Sequence, residues 1–286
     1  MKVFVTGGSS PLGELVLPRL VSVHDVYALA RSPEAARVVE RRGAVPVRGV
    51  LEESESGQAT WKSIVNSADA VVHLAGMRLA DQLVAHLDAE QPLTVVSSAS
   101  LHNPSHPLSA ELRAAEERLA STMSGTLKIL RPTMIYGSSR DRNIRLLARA
   151  ISRLPVTPKF IGGGFVQPVL ADDVADAIFE TLGRPGHLVA DLGARDPVRL
   201  GDIVAVLANL LGRPMLPFSV PVAPLAWVAG TIGHWKHSSA IHALAMLRHD
   251  RSIVAAGESI LGHPATPVSV GLAIAVPRYR LSQFHE

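Results

Sequence analysis

Six short apolar runs recur through the first half of the chain: KVFVT (2–6), DVYALA (25–30), AVPVRG (44–49), DAVVHLAG (69–76), LTVVSS (93–98) and TLKILRP (126–132). Segments that mostly show helical periodicity separate them. This alternation leaves few folds open, because successive parallel strands need crossover connections, which are usually helices. The runs are apolar throughout rather than alternately polar, as strands buried on both faces require. The expected fold is therefore α/β, a Rossmann-type doubly wound parallel sheet. With 286 residues, the chain has room for a core over 1–160, with strand and helix returns from 166–193, and a smaller substrate-side or partner-side lobe over 161–286. Within that later half, GGGFVQPVLADDVADAIFETLG (162–183) predicts a turn, a strand and a helix capped by Asp172 or Asp173, and DPVRLGDIVAVLANLLG (196–212) a helix ending at glycine.

The first strand runs directly into TGGSSPLGELVLPRL (6–20). Gly7 and Gly13 stand at the outer positions of a G-x-x-G-x-x-G turn and Ser10 at the middle one. Such a loop allows a tight turn, aims backbone N–H groups at a pyrophosphate and sets a helix N-terminus behind it. Ser9 and Ser10 are small and add hydroxyl donors. The context, a βαβ unit, is the one in which this motif signals a dinucleotide rather than a structural turn.

The second strand ends ALARSPEAAR. An acidic residue there would accept from a ribose 2′-hydroxyl and repel a 2′-phosphate, whereas Arg31 would pair with that phosphate. NADP is favoured over NAD on this ground, and Arg37 on the next helix can share the role.

Composition excludes several other chemistries. There are no cysteines, which removes disulfides, thiolate nucleophiles and cysteine-based zinc sites. The twelve histidines show no HExxH-like spacing, so no metal is expected. The net charge is +3 with arginines scattered along the chain, which gives no basic face for nucleic acid. Met1 to Val5 already reads as strand, so no secretory leader is expected and a cytoplasmic location is the default. The stretch PMLPFSVPVAPLAWVAGTIGHW (214–235) carries no Asp, Glu, Lys or Arg, but prolines at 217, 221 and 224 argue against one continuous helix in its first half. It is a candidate for membrane or protein docking, and a homo-oligomer also stays open; a small-molecule substrate is the expected partner.

Together these blocks resemble the short-chain dehydrogenase/reductase superfamily, in its extended or atypical, NAD-dependent epimerase/dehydratase-like branch, over essentially the whole chain. TGGSSPLG is similar to its TGxxGxxG loop, VVHLAG and VVSSAS to its fourth- and fifth-strand segments, and ILRPTMIYG and FVQPVLADDVADAI to later extended-branch blocks. The run from RPTMIYGSSRDRNI through QPV and DDVA most resembles the group related to the NADPH-binding accessory subunit of respiratory complex I. The resemblance implies that Gly7, Ser9, Ser10, Leu12 and Gly13 hold the pyrophosphate and Arg31 the 2′-phosphate. It also implies that Leu74, Ala75 and Gly76 lie along the ribose, and Ser97, Ser98 and Pro132 to Ile135 near the nicotinamide. Val50 stands where the family usually has an adenine-contacting Asp.

The larger departure lies in SSASLHNPSHPLSAELRAAEE (97–117). Aligned with the family's helix, it places Leu108 at the tyrosine and Leu112 at the lysine of Tyr-x-x-x-Lys, the pair that moves the hydroxyl proton while hydride is transferred. A shift of one residue gives Ser109 and Arg113 instead. Leucines cannot relay a proton, which removes assistance typically worth about 10² to 10⁴ in rate. The substitutes available in the sequence are Ser98, His102 and Tyr136, with His106 behind them. Two readings follow: an NADP(H)-dependent oxidoreductase or epimerase-like enzyme on a small carbonyl or nucleotide-linked sugar, and a non-catalytic NADP(H)-binding structural or sensor module.

Overall fold

The computed structural model describes residues 1–51, 60–141, 143–161, 164–221, 254 and 257–282. The chain divides into two compact units. The first comprises Met1–Pro132, Val174–Asp191 and Ser259–Gly262, and the second comprises Thr133–Asp173, Leu192–Glu258 and His263–Glu286. The division falls earlier than the 160/161 boundary read from the sequence, because the chain leaves the main sheet at Pro132 and returns for one more strand.

The first unit is built from β1 (Lys2–Thr6), α1 (Gly13–Val21), β2 (Asp25–Ala30), α2 (Pro33–Arg41), β3 (Val45–Arg48), α3 (Thr60–Asn66), β4 (Ala70–His73), α4 (Ala80–Val84), β5 (Leu93–Val96), α5 (Ser109–Thr122) and β6 (Leu127–Pro132). The second begins with β7 (Ile135–Tyr136), α6 (Ile144–Ser152), β8 (Thr157–Ile161), β9 (Phe165–Val166) and β10 (Val169–Leu170). The chain then returns to the first unit through most of α7 (Ala171–Leu182) and β11 (Leu188–Leu192), gives the second unit β12 (Val198–Arg199), α8 (Leu200–Leu210), β13 (Met215–Pro221) and α10 (Val268–Ser282), and between the last two contributes most of α9 (Glu258–Leu261) to the first.

The seven-stranded sheet has the order β11-β6-β5-β4-β1-β2-β3, and the ladders along β6-β5-β4-β1-β2-β3 are all parallel. The order reverses at β1, with β2 on one side and β4 on the other, and the crevice beyond the carboxyl ends of such strands is where ligands bind in open α/β sheets. Val3, Phe4 and Val5 in β1 and Val71 and Val72 in β4 are completely buried, which accounts for their wholly apolar sequence. Phe4 stacks on Trp61 of α3 with ring centroids 6.3 Å apart. Helix α2 starts where Ser32 Oγ accepts from Ala35 N at 3.1 Å with Pro33 at the first helical position, a start the sequence SPEAA encodes locally.

The second unit has its own core, in which Tyr136, Ile144, Leu207, Leu272 and Ala275 are buried together. Its short ladders are β10 with β7, β12 with β9 and β13 with β8. Helix α7 begins at Ala171, so Asp172 and Asp173 lie inside its first turn rather than capping it. Asp172 pairs with Arg278 at 2.6 Å, and Asp173 accepts from the N and Oγ1 of Thr266 at 2.8 and 2.6 Å. Of the apolar stretch 214–235, strand β13 takes up the start, and residues 222–235 lie outside the described residues. Among the described residues no helix is long and apolar enough to cross a membrane.

Candidate cofactor and substrate site

The loop TGGSSPLG turns from the carboxyl end of β1 into α1. Ser10 N donates to Gly7 O at 2.9 Å, and Gly13 N donates to Ser10 Oγ at 3.1 Å. The two outer glycines are required by geometry. Gly7 has φ +72°, and a Cβ there would sit 2.6 Å from Leu74 C; a Cβ on Gly13 would sit 2.3 Å from Gly8 O. Leu12, at the N-cap of α1, gives no side-chain cap of its own; in the first turn of this nine-residue helix Gly13 N is taken by Ser10 Oγ and Leu15 N by Leu12 O. The residues present therefore fit a dinucleotide pyrophosphate: a cradle that a side chain would fill, two small hydroxyl residues and a helix start. Arg42, at the end of α2, braces the loop by donating from one terminal nitrogen to Gly8 O at 2.5 Å and Ser10 O at 2.9 Å. No periodicity or motif in the sequence marked it.

Arg31 lies at the carboxyl end of β2 beside the loop, exposed, with no hydrogen bond or ion pair among the described residues. Arg37, on α2, is also exposed.

A second brace joins the loops after β1 and β4. His73 is completely buried. Its Nε2 donates to Gly76 O at 2.9 Å and its Nδ1 accepts from Thr6 Oγ1 at 2.7 Å. Burial drives the His73 pKa down, opposed by its bond to the Gly76 carbonyl, so the ring is held neutral. Leu74 and Ala75 follow, half-buried, and Gly76 is exposed at φ +95°. The sequence shows only a histidine inside the otherwise apolar VVHLAG run; nothing local pairs it with Thr6, 67 residues away.

After β5 the chain enters a short 3-10 turn, Ala99–His102. Ser98 caps it, with Oγ accepting from Ser100 N at 3.2 Å and sharing a hydrogen bond with Ser100 Oγ at 2.8 Å. Ser97 points the other way: its Oγ donates to Glu116 Oε1 at 2.5 Å, and Glu116 also takes Arg131 Nε at 3.0 Å and a terminal nitrogen of Arg131 at 2.5 Å. The Ser97 hydroxyl is thus committed to a buried network rather than free for a cofactor. His102 is exposed, and its Nε2 lies 2.9 Å from Asp191 Oδ1 at the end of β11. This pairing of a histidine with an acid 89 residues away had no local signal.

Leu108 and Leu112 occupy the start of α5. Leu108 is the N-cap and is 43% exposed; Leu112 is partly buried against the first unit's core. With Ala75, Gly76 and Met77 they line a cleft of about 760 Å³, whose charged lining is Arg78, Glu111 and Arg118. Arg118 binds Asp81 at 2.8 Å. His106 is half-buried, with Nδ1 accepting from Leu108 N at 3.3 Å.

Pro132 ends β6, buried, and Ile135 is half-buried in β7 of the second unit. Tyr136, expected as a substitute acid, is instead a core residue. It is fully buried, its hydroxyl donates weakly to Val268 O at 3.4 Å, and a Cβ on Gly271 would strike that hydroxyl. Burial, reinforced by Asp173, Asp141 and Asp172, raises its pKa far beyond any working range, which is the physical reason it cannot serve.

These features define the class of the protein, a Rossmann-type fold with a dinucleotide cradle. No family model matches the chain. Among curated proteins, 4-hydroxy-2-methyl-3-oxo-4-farnesyl-3,4-dihydroquinoline-1-oxide ketoreductase of Stigmatella aurantiaca is 30% identical over 186 residues, 61% of this chain and 52% of that protein. 2′-Dehydrokanamycin reductase of Streptomyces kanamyceticus is 27% identical over 249 residues, 77% and 70% of the two chains. A chloroplastic epimerase-family protein of Arabidopsis thaliana is 25% identical over 256 residues, 75% and 72%. The chain spans 52% and 63% of the first two curated relatives it matches. Among solved structures, an NADPH-dependent quinone oxidoreductase of Escherichia coli superposes with a TM-score of 0.71 at 17% identity, covering 95% of this chain and 98% of that one. UDP-glucose 4-epimerase of Thermotoga maritima superposes at 0.68 and 15%, covering 99% and 100%. The resemblance to the short-chain dehydrogenase/reductase superfamily, in its extended or atypical branch, is borne out by these relatives and by the fold.

Proposed function

We propose that the protein is an NADP(H)-dependent reductase whose substrate is an apolar, conjugated carbonyl compound of the quinone type. The observation that carries this reading is the replacement of the proton-relay pair by Leu108 and Leu112 on the wall of the cleft that Ala75 and Gly76 also line. A simple ketone reduced by hydride becomes a strongly basic alkoxide and needs an acid beside it. A quinone becomes a delocalised anion that takes its proton without one, and two leucines favour its flat apolar ring. The name of a quinone oxidoreductase among the structural neighbours supports this substrate class, and that of a ketoreductase among the relatives supports reduction of a carbonyl.

NADPH, when bound, supplies the hydride. Gly7, Ser9, Ser10, Leu12 and Gly13 would hold its pyrophosphate, Arg31 its 2′-phosphate, and Leu74, Ala75 and Gly76 its ribose, with Pro132 and Ile135 toward the nicotinamide. Ser98 shapes the turn after β5, and the delocalised anion takes its proton from water after the hydride has moved, with His102, exposed and paired with Asp191, not required for the transfer.

The experiment is turnover of NADPH by purified protein with three acceptor classes: a soluble quinone, an unactivated ketone and a nucleotide-linked sugar. Oxidation with the quinone alone is the expected result. Tight NADPH binding with no turnover of any acceptor would overturn the reading and leave a non-catalytic binding module; turnover of the sugar would make the protein epimerase-like.

A further inference from the structure

The second unit contains a cationic cavity that the proposed reaction does not use. It has a volume of about 180 Å³ and is lined by Arg145, Arg149, Arg213 and Arg280, with Ser152 and Tyr279 among the remaining residues and, among the described residues, no carboxylate. Arg145 and Arg149 are four apart on α6 and so share a helix face, a spacing at which like charges repel. Arg213 follows the turn after α8, where Gly212 has φ +66°, and Arg280 stands near the end of α10. Folding therefore brings four guanidinium groups from three separate segments around one small space.

Arg145 is engaged through Nε, which donates to Asp141 O at 3.2 Å, and Arg213 and Arg280 are held from behind through a terminal nitrogen. Arg213 donates to Ser152 O at the end of α6, and Arg280 donates to Leu210 O at the end of α8, at 3.2 Å. Helix carboxyl ends favour cations, which accounts for the anchoring. It does not account for the convergence: a guanidinium carries five N–H donors, and each anchor on Arg213 and Arg280 engages one terminal nitrogen. The rest of the planar fork remains for oxygens arranged as in phosphate. The Tyr279 hydroxyl is turned away, donating to Asp141 and accepting from Gly137 N at 3.1 Å, so the cavity offers no free phenol to a ligand.

We infer that this cavity is a binding site for a phosphate group. Its volume is below the roughly 300 Å³ at which pockets for drug-sized ligands begin, so it admits the phosphate itself and leaves any attached organic part outside. Inorganic phosphate and a phosphomonoester share this chemistry.

The test is thermal unfolding of the whole protein under saturating NADPH, which occupies the pyrophosphate loop, with inorganic phosphate titrated against chloride at constant ionic strength. A ligand that binds only the folded state raises Tm in a saturable way. We expect saturable stabilisation by phosphate and not by chloride, and an affinity weakened about tenfold or more in the Arg213→Gln/Arg280→Gln variant, because charge-assisted hydrogen bonds are lost. Both arginines are exposed, so the variant should fold; Arg149→Gln provides a second reading, and ³¹P line broadening a direct one. A simple sugar phosphate, run in parallel, separates the two sources: tighter binding than phosphate assigns a phosphomonoester, equal or weaker binding assigns the free ion. Absence of stabilisation and broadening, or the same response in wild type and variants, would overturn the inference.

Discussion

Replacing Arg131 by methionine tests how the walls of the proposed site are held. Glu116 of α5 is 6% exposed at its side chain, and its charge is met by Arg131 of β6, itself 22% exposed, with Ser97 as a further donor. The two exposures make the cost asymmetric. Arg131→Met leaves a carboxylate in the interior with one hydroxyl for company, and breaking a buried pair in this way costs about 3–5 kcal/mol. Glu116→Gln leaves an arginine that reaches water, and the loss should be only about 1–2 kcal/mol. The double variant Arg131→Met/Glu116→Leu removes both charges and should recover most of the loss, since a buried pair replaced by packed apolar groups is often neutral. Urea unfolding of the four proteins gives the cycle. Against a total stability of about 5–15 kcal/mol, the Arg131→Met shift is readily measured. A loss under about 1 kcal/mol for Arg131→Met, or a double variant as unstable as the sum of the singles, would refute the asymmetry argument.

Three further outcomes follow from the same geometry. Gly13→Ala places a Cβ 2.3 Å from Gly8 O, and NADPH affinity by fluorescence titration should fall about a hundredfold or more, as the loop must open to relieve a backbone clash. Arg31→Glu should weaken NADPH by about ten- to a hundredfold, the range of a lost charge-assisted bond, and leave NADH unchanged or tighter. The pKa of His73 is depressed on folding, so its neutral form is the native one. Its contribution to stability is intact above the unfolded value of about 6.5 and declines as pH falls from there toward the folded pKa. His73→Phe should therefore flatten the loss of Tm between neutral and mildly acid pH, although His24 and His86, also lowered, keep part of it.

What the sequence disclosed and what it withheld divide along chain distance. Strands β1 to β6 were legible because both faces are buried and the runs are apolar from end to end. The runs overshoot at their ends, as in DAVVHLAG against the observed Ala70–His73, because Leu74 to Gly76 leave the ladder to form the site. The phosphate loop was legible because adjacent residues make it. The braces were not: Thr6 with His73 is 67 residues apart, Arg42 with Gly8 is 34, and His102 with Asp191 is 89. Tyr136 shows the opposite error. The motif IYG drew attention to a phenol that three-dimensional packing places in a core beside three carboxylates. Ser97 was visible in the VVSSAS segment, but only the fold shows that its hydroxyl serves the charge of Glu116.

The central claim is that hydride transfer persists here without a tyrosine and lysine. The most direct measurement is the single-turnover rate of NADPH oxidation by a quinone, compared between NADPH and NADPH deuterated at the transferred C4 position. The account predicts measurable oxidation that the heavier isotope slows. Tightly bound NADPH that is not oxidised, or is oxidised at the same rate with either isotope in place, would contradict it.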